Sequence, residues 1–295
     1  MKIKSDKRIL IWGNDYNSVF VFNELRKIYP HLSIVDIDKP FLTKLKHILK
    51  NDIKYVISGK MGILIVISRL LGKRIIMHWV GTDLVAYKKS APLKKFLYKI
   101  IPTKHIFVTS ELRDEFSKSI KAHIFPILKK PPFIKTDFKI HKEILTYIPQ
   151  NREDFYYGDF ITHYFKNNKD YNLNVIGNNG INLAESTNIK YHGWVDEKTV
   201  QELINKCSIY IRFLKHDGFP KLVIDNLYNF NFVIYNHKFP HTIYCQPTSS
   251  QLNTVLSNIY SRHSLKIANK KHHKYAEMLY EKYNIAKLAE AILEK

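Results

Sequence analysis

The chain has 295 residues, 45% of them hydrophobic, which is long enough for two domains and too apolar for a disordered protein. Its 47 Lys and Arg outnumber 26 Asp and Glu, and the excess is uneven: residues 1–142 hold 29 against 11, residues 143–295 hold 18 against 15. The first half is therefore suited to a polyanionic surface, while only Cys207 and Cys245, outside any CxxC or metal-ligand spacing, exclude a disulfide scaffold and favour a reducing, cytoplasmic compartment.

The first strand, Lys7 to Gly13, follows the N-terminus directly, with no signal peptide in view. Gly13 and Asn14 open a turn, and Ser18 to Ile28 reads as a helix. This opening is Rossmann-like, but GNDYNS lacks the second and third glycines of a dinucleotide fingerprint, which argues against an NAD site. Strands at Leu32–Val35, Tyr55–Ser58, Arg74–His78 and His105–Thr109 alternate with helices at Phe41–Leu49, Met61–Leu71, Lys89–Ile101 and Ser110–Ser119. That alternation predicts a doubly wound α/β domain. Gly59-Lys60 lacks the upstream glycine and the following Ser or Thr of a phosphate loop. The longest apolar run, Gly62 to Met77, is broken by Arg69, Lys73 and Arg74, so no transmembrane helix is expected.

His78 and Asp83 lie at the end of the fourth strand, where parallel sheets face their ligands. His78 is either a group that handles an acceptor proton or one that satisfies local backbone. From Leu84 to His105 the chain is basic and amphipathic, with Leu93, Phe96, Leu97, Ile100 and Ile101 in one stripe and Lys88, Lys89, Lys94, Lys95 and Lys99 around it. Such a segment either packs its stripe on the sheet or lies on an anionic membrane surface. Lys129-Lys130-Pro131-Pro132 reads as a linker, with domains of 1–140 and 141–295.

The second domain restarts the pattern. A strand at Ile144–Ile148 leads through a polar loop with Arg152 to a helix at Asp154–Phe165. A strand at Leu173–Gly177, the stretch Tyr191–Val195 and a helix at Glu197–Lys206 follow. Cys207 to Tyr235 is a βαβ unit: strand Ser208–Phe213, loop Leu214–Gly218, a helix begun by Pro220, and strand Phe232–Tyr235. Free N–H groups at that helix start attract phosphate, and Asp217 and Asp225 beside it suit sugar hydroxyls. The plainer alternative makes Asp217 a helix cap and Asp225 a solvated acid. His237 and His241 have helical metal spacing, but Pro240 between them argues against a metal site. His272 to Lys295 is an amphipathic terminal helix.

Asp217-Gly218-Phe219-Pro220-Lys221-Leu222-Val223-Ile224-Asp225 resembles the donor-site signature of retaining GT-B glycosyltransferases of the family-4 type, which is Glu, seven residues, Glu. Both acids are Asp here, each one methylene shorter. His78-Trp79-Val80-Gly81-Thr82-Asp83 is similar to the family's His-x-x-Gly-x-Asp stretch, and the order of elements fits along almost the whole chain. The resemblance implies a GT-B fold, two Rossmann-like α/β domains facing a cleft. It implies metal-independent transfer, with retention, from a nucleotide-diphosphate sugar to the hydroxyl of a glycan or lipid-linked acceptor, with no cofactor besides the donor.

In that scheme Asp217 binds sugar hydroxyls and Asp225 the ribose. Arg152, with Arg212 or Lys221, holds the diphosphate. Gly193, Trp194 and Val195 meet the base, and Gly218 and Phe219 line the donor. His78 and Asp83 orient the acceptor, with Gly13 and Asn14 on its side. The expected location is cytoplasmic and peripheral on the inner membrane face. Rival readings are a sugar-nucleotide epimerase and an inactive GT-B scaffold serving as a basic membrane- or polyanion-binding module. Nucleic-acid binding rests on charge alone, with no motif behind it.

Overall fold

Strands covered on both faces read as continuous apolar runs. In the computed structural model, which describes residues 5–59, 62–131, 140–261 and 265–294, such runs become the central strands of two sheets. β1 (Ile9–Trp12), β3 (Ile53–Ile57) and β4 (Arg74–Trp79) are buried along nearly their full length. With β2 (Leu32–Val35), β5 (Lys104–Phe107) and β6 (Ala122–Ile124) they form a wholly parallel sheet of order β2-β1-β3-β4-β5-β6.

Its helices are α1 (Tyr16–Arg26), α2 (Phe41–Lys50), α3 (Ile63–Leu70), α4 (Thr82–Lys88), α5 (Pro92–Ile100) and α6 (Ser110–Phe116). Asp15 caps α1 by accepting from the Ser18 N–H, and Thr109 caps α6 by accepting from Leu112. β1 to β2 steps one way across the sheet, while β2 to β3, β3 to β4 and β4 to β5 step the other way. Crossovers of this kind are right-handed, so α1 lies on one face and α2 to α5 on the opposite one. The helix expected at 89–101 is α5, begun three residues later, and a separate helix, α4, precedes it. α4 ends at Lys88, and Pro92, with no N–H to lose, starts α5.

The second unit holds β7 (Glu143–Tyr147), a 3-10 turn at Asp154–Tyr156, α7 (Gly158–Asn167), β8 (Asn172–Ile176), β9 (Ile189–Tyr191), α8 (Glu197–Lys206), β10 (Ile209–Arg212), α9 (Lys221–Tyr228) and β11 (Phe232–Tyr235). β12 (Ile243–Tyr244), α10 (Ser249–Ser261) and α11 (Leu265–Lys282) follow. The sheet is again wholly parallel, in the order β12-β11-β10-β7-β8-β9. The helix expected from Asp154 is interrupted at Tyr157, whose φ of +51° is left-handed. β12 and α10 went unread: one has two residues, and the other is a polar segment with Leu252, Leu256 and Ile259 buried.

The chain divides into Met1–Lys129 with Glu281–Lys295, and Lys130–Tyr280. The terminal helix expected at 272–295 breaks at Asn284, whose side chain caps a separate α12 (Ile285–Leu293) by accepting from Ala286 and Lys287. Leu288, Ala289 and Ile292 of α12 enter the core of Ile9, Ile11, Val21, Leu25 and Ile57. Lys104 donates to the Ala291 carbonyl at 2.8 Å and Arg74 to that of Glu294 at 2.5 Å, cations placed against the negative end of the helix. Pro132 of the expected linker, Lys60 and Met61 lie outside the described residues, and the division falls at Lys129–Lys130, before the expected residue 140.

Candidate functional site

In the second sheet the chain runs from β7 outward to β8, and β10 lies on β7's other side. Ligands of open parallel sheets bind beyond the strand ends at such a switch point. Three side chains close the ends there: Tyr147 of β7, Arg212 of β10, and Tyr235 of β11, in register with Arg212. Arg212 forms a two-pronged pair with Asp217, Nε to Oδ2 at 2.6 Å and Nη2 to Oδ1 at 2.9 Å. The Tyr235 hydroxyl donates to Asp217 Oδ2 at 2.7 Å. The Arg212 and Asp217 side chains are only 9% and 10% exposed.

Burial alone would raise the Asp217 carboxyl, but the Arg212 charge, its hydrogen bonds and the Tyr235 hydroxyl prevail, and its pKa is lowered. A carboxylate offers about four lone-pair sites. Three are used here, so Asp217 keeps an acceptor for one hydroxyl. As a cation, Arg212 is already matched.

The unmatched cation is Arg152. It is exposed in the loop after β7, among described residues with no hydrogen bond or ion pair to its side chain. Burial raises the hydroxyls of Tyr147, to about 12, and Tyr156, and the Arg212 charge, with that of Arg152 behind it, draws them back. Tyr147 stands edge-on to Tyr156 at 5.6 Å and to Trp194 at 6.3 Å. Gly177, at φ +88°, lets the end of β8 approach this group, since a Cβ there would lie 2.8 Å from the Tyr147 ring. Trp194 is 73% exposed and is not a core residue. It follows Gly193, whose φ of +63° is left-handed and whose Cβ would lie 2.8 Å from Asn179. Val195 beside it is partly buried.

Gly218 and Phe219, both partly buried, lead from Asp217 into α9. Pro220 precedes α9 and no side chain caps it; the Lys221 N–H turns back to the Phe219 carbonyl at 2.9 Å, so only the N–H groups after it are left for an anion. Asp225 is not part of this group. It is wholly buried, with Oδ2 held by Lys221 at 2.7 Å and Oδ1 by the Tyr280 hydroxyl at 2.5 Å. Spacing had suggested a ribose contact, but eight residues on from Asp217 the helix turns this position toward α11. Lys221 is thus committed to Asp225 as well.

In the first sheet the switch point lies between β1 and β3. Gly13 and Asn14 stand at the end of β1, and Asn14 donates to Asp38 at 2.7 Å. His78 and Asp83, expected to orient an acceptor, are enclosed. His78 is fully buried in a central strand, with Nδ1 at 2.5 Å from the Tyr55 hydroxyl and Nε2 at 2.8 Å from the Phe125 carbonyl. Burial pushes its pKa down to about 3, so it is neutral and has no nitrogen to spare. Asp83 accepts from the N–H groups of Val80, Gly81 and Leu84 at 2.8–3.2 Å, fixing the entry to α4. Burial raises its pKa and these N–H groups hold it back.

Tyr147, Tyr156 and Tyr235 were missed. Tyr235 was legible as the last residue of an apolar strand in a parallel sheet, since such ends face the crevice.

Two wholly parallel six-stranded sheets flanked by helices are the architecture of the GT-B fold. No protein-family model matches the chain, and no curated protein matches it. Among solved structures it resembles sucrose-phosphate synthase from Thermosynechococcus elongatus at 10% identity, over 97% of this chain and 98% of that one, with a TM-score of 0.70. A trehalose-6-phosphate synthase is similar at 11% identity over 97% and 98%, TM-score 0.65. The pneumococcal O-GlcNAc transferase GtfA, solved with UDP and GlcNAc, is similar at 11% over 86% and 60%, TM-score 0.58. At these identities the likeness establishes the fold.

Proposed function

We propose that the protein transfers a sugar from a nucleotide-diphosphate donor to an acceptor hydroxyl on a glycan or lipid-linked molecule, with retention and without a metal. One observation carries this: a free cation, an exposed indole, a carboxylate with one open acceptor site and an uncapped helix start share one strand-end edge of a GT-B sheet. Trp194 stacks on the base. Arg152 and the α9 N–H groups hold the diphosphate and offset the charge that grows on it as the sugar–oxygen bond breaks. Asp217, held by Arg212 and Tyr235, accepts from a sugar hydroxyl. The trehalose-6-phosphate synthase structure concerns transfer with retention, and the GtfA structure holds UDP, which supports the reading.

A second reading, an inactive scaffold, draws on the burial of Asp225 and the internal pairing of Arg212. The test is calorimetric titration with UDP-, ADP- and GDP-sugars in excess EDTA, followed by a hydrolysis and transfer assay with the donor that binds. Binding lost in Arg152→Ala, together with turnover, supports the enzyme. Binding without turnover supports the scaffold, and no binding to folded protein ends both donor-site assignments.

A further inference from the structure

α5 turns the wrong side outward for a helix that merely covers a sheet. Tyr98 is its one buried residue, its hydroxyl donating to the Gly59 carbonyl at 2.8 Å. The stripe that should pack, Leu93, Phe96 and Ile100, is 71%, 56% and 50% exposed. Lys94 and Lys99 are exposed beside it. α2 and α3 lie on the same face of the sheet and also point large apolar groups outward, Leu42 at 76% and Leu70 at 80% exposure.

The charge on this layer is mainly positive, with Asp36 and Asp38 beside Ile37 as the acids just before it. Residues 41–101 hold 13 Lys and Arg against 2 Asp. Neither acid is set to repel an anion from this face: Asp83 is buried in its backbone nest, and Asp52 accepts from the Arg8 N–H at 2.8 Å. Between the starts of α2 and α3 a groove of about 310 Å³, lined by Trp12, Ile37, Phe41 and Ile63, opens with Lys44 at its rim.

We infer that the outer face of α2, α3 and α5 docks on an anionic lipid bilayer, with α5 lying in the headgroup plane. An apolar stripe flanked by lysines is the pattern of an interfacial helix. Nucleic acid would use the lysines but has no need of the exposed Leu, Phe and Ile. Among the described residues no helix is long and apolar enough to cross a membrane, so the contact is in-plane. The inference deepens the proposed function by bringing a lipid-linked acceptor to the groove, but docking itself does not require transfer.

The test is flotation of the full chain with phosphatidylcholine vesicles, with and without 30% phosphatidylglycerol. The protein should float with the anionic vesicles only. Leu93→Glu/Phe96→Glu/Ile100→Glu and, separately, Lys94→Glu/Lys99→Glu should each weaken binding at least tenfold. Both should keep the wild-type melting temperature and donor titration, so the result stands apart from the donor-site reading. Failure of the wild type to float with anionic vesicles overturns the inference. So does an apolar variant that floats like wild type, or an apolar stripe whose only effect is on sedimentation as a dimer.

Discussion

Replacing Asp217 by Asn should destabilise the second unit by about 3–5 kcal/mol, because it strands a buried guanidinium. Arg212 would keep neutral neighbours alone, among them the Tyr210 hydroxyl, at 3.5 Å, and the Tyr156 ring, 5.9 Å from its Cζ. The lower end of that range is already about two powers of ten in the unfolding constant. Arg212→Met should cost a similar amount, since it leaves Asp217 with the Tyr235 hydroxyl alone. Arg212→Met/Asp217→Leu removes both charges and should lie within about 1 kcal/mol of the wild type. With Asp217→Leu, which should cost at least as much as Asp217→Asn, as the matching single, the cycle predicts a coupling of roughly 5 kcal/mol or more.

The sign of the pH dependence follows from the lowered Asp217 pKa. The unfolded carboxyl titrates near about 3.9, so the stabilisation is complete above that value and lost as pH falls through the folded pKa. The cost of Asp217→Asn should be constant from pH 8 to 5 and shrink below about pH 4. Amide exchange of the β10 and β11 strands reads the second unit alone. A single-mutant cost under about 1 kcal/mol, or additive singles, would refute the reasoning.

Trp194→Ala should leave stability within about 0.5 kcal/mol, as for exposed side chains, yet weaken donor binding by about 1–3 kcal/mol if the indole stacks on the base. Calorimetry with the bound donor and with the same sugar lacking a base separates the two. His78 and His105, whose pKa values burial lowers to about 3 and about 4, should make stability fall as pH drops below the unfolded value of about 6.5. The slope should approach roughly 2.7 kcal/mol per pH unit between pH 6 and 4.5, seen in urea midpoints, and flatten when both are replaced by Gln. Ile292→Ala should cost the first unit about 2–5 kcal/mol while donor titration stays unchanged, a contrast read by amide exchange in β1 and β3.

Much of this architecture was legible in the order of apolar runs. Leu32–Val35, Phe232–Tyr235 and Glu197–Lys206 fall where periodicity and caps put them. Arg152, Asp217 and Trp194 sit next to strand ends, which sequence can locate, and the structure gathers them at one edge of the second sheet. Asp225 and His78 are enclosed where spacing had them open to ligand, for a common reason. What encloses them, Tyr280 for one and Tyr55 and Phe125 for the other, is distant in sequence and invisible to spacing. The pairing of Arg212 with Asp217 lies within five residues, yet it depends on how the loop after β10 folds back, which residue types leave open.

The position of α12 bears on how the molecule is made. The first unit's strands precede the second unit in the chain, but the helix that seals Ile9, Ile11 and Val21 follows it. The later unit, Lys130–Tyr280, can close before the earlier one is complete. A chain stalled or clipped near Asn284 would leave an apolar face open on the first unit. The first unit is thus a discontinuous stretch of chain, and its core is sealed only when α12 docks.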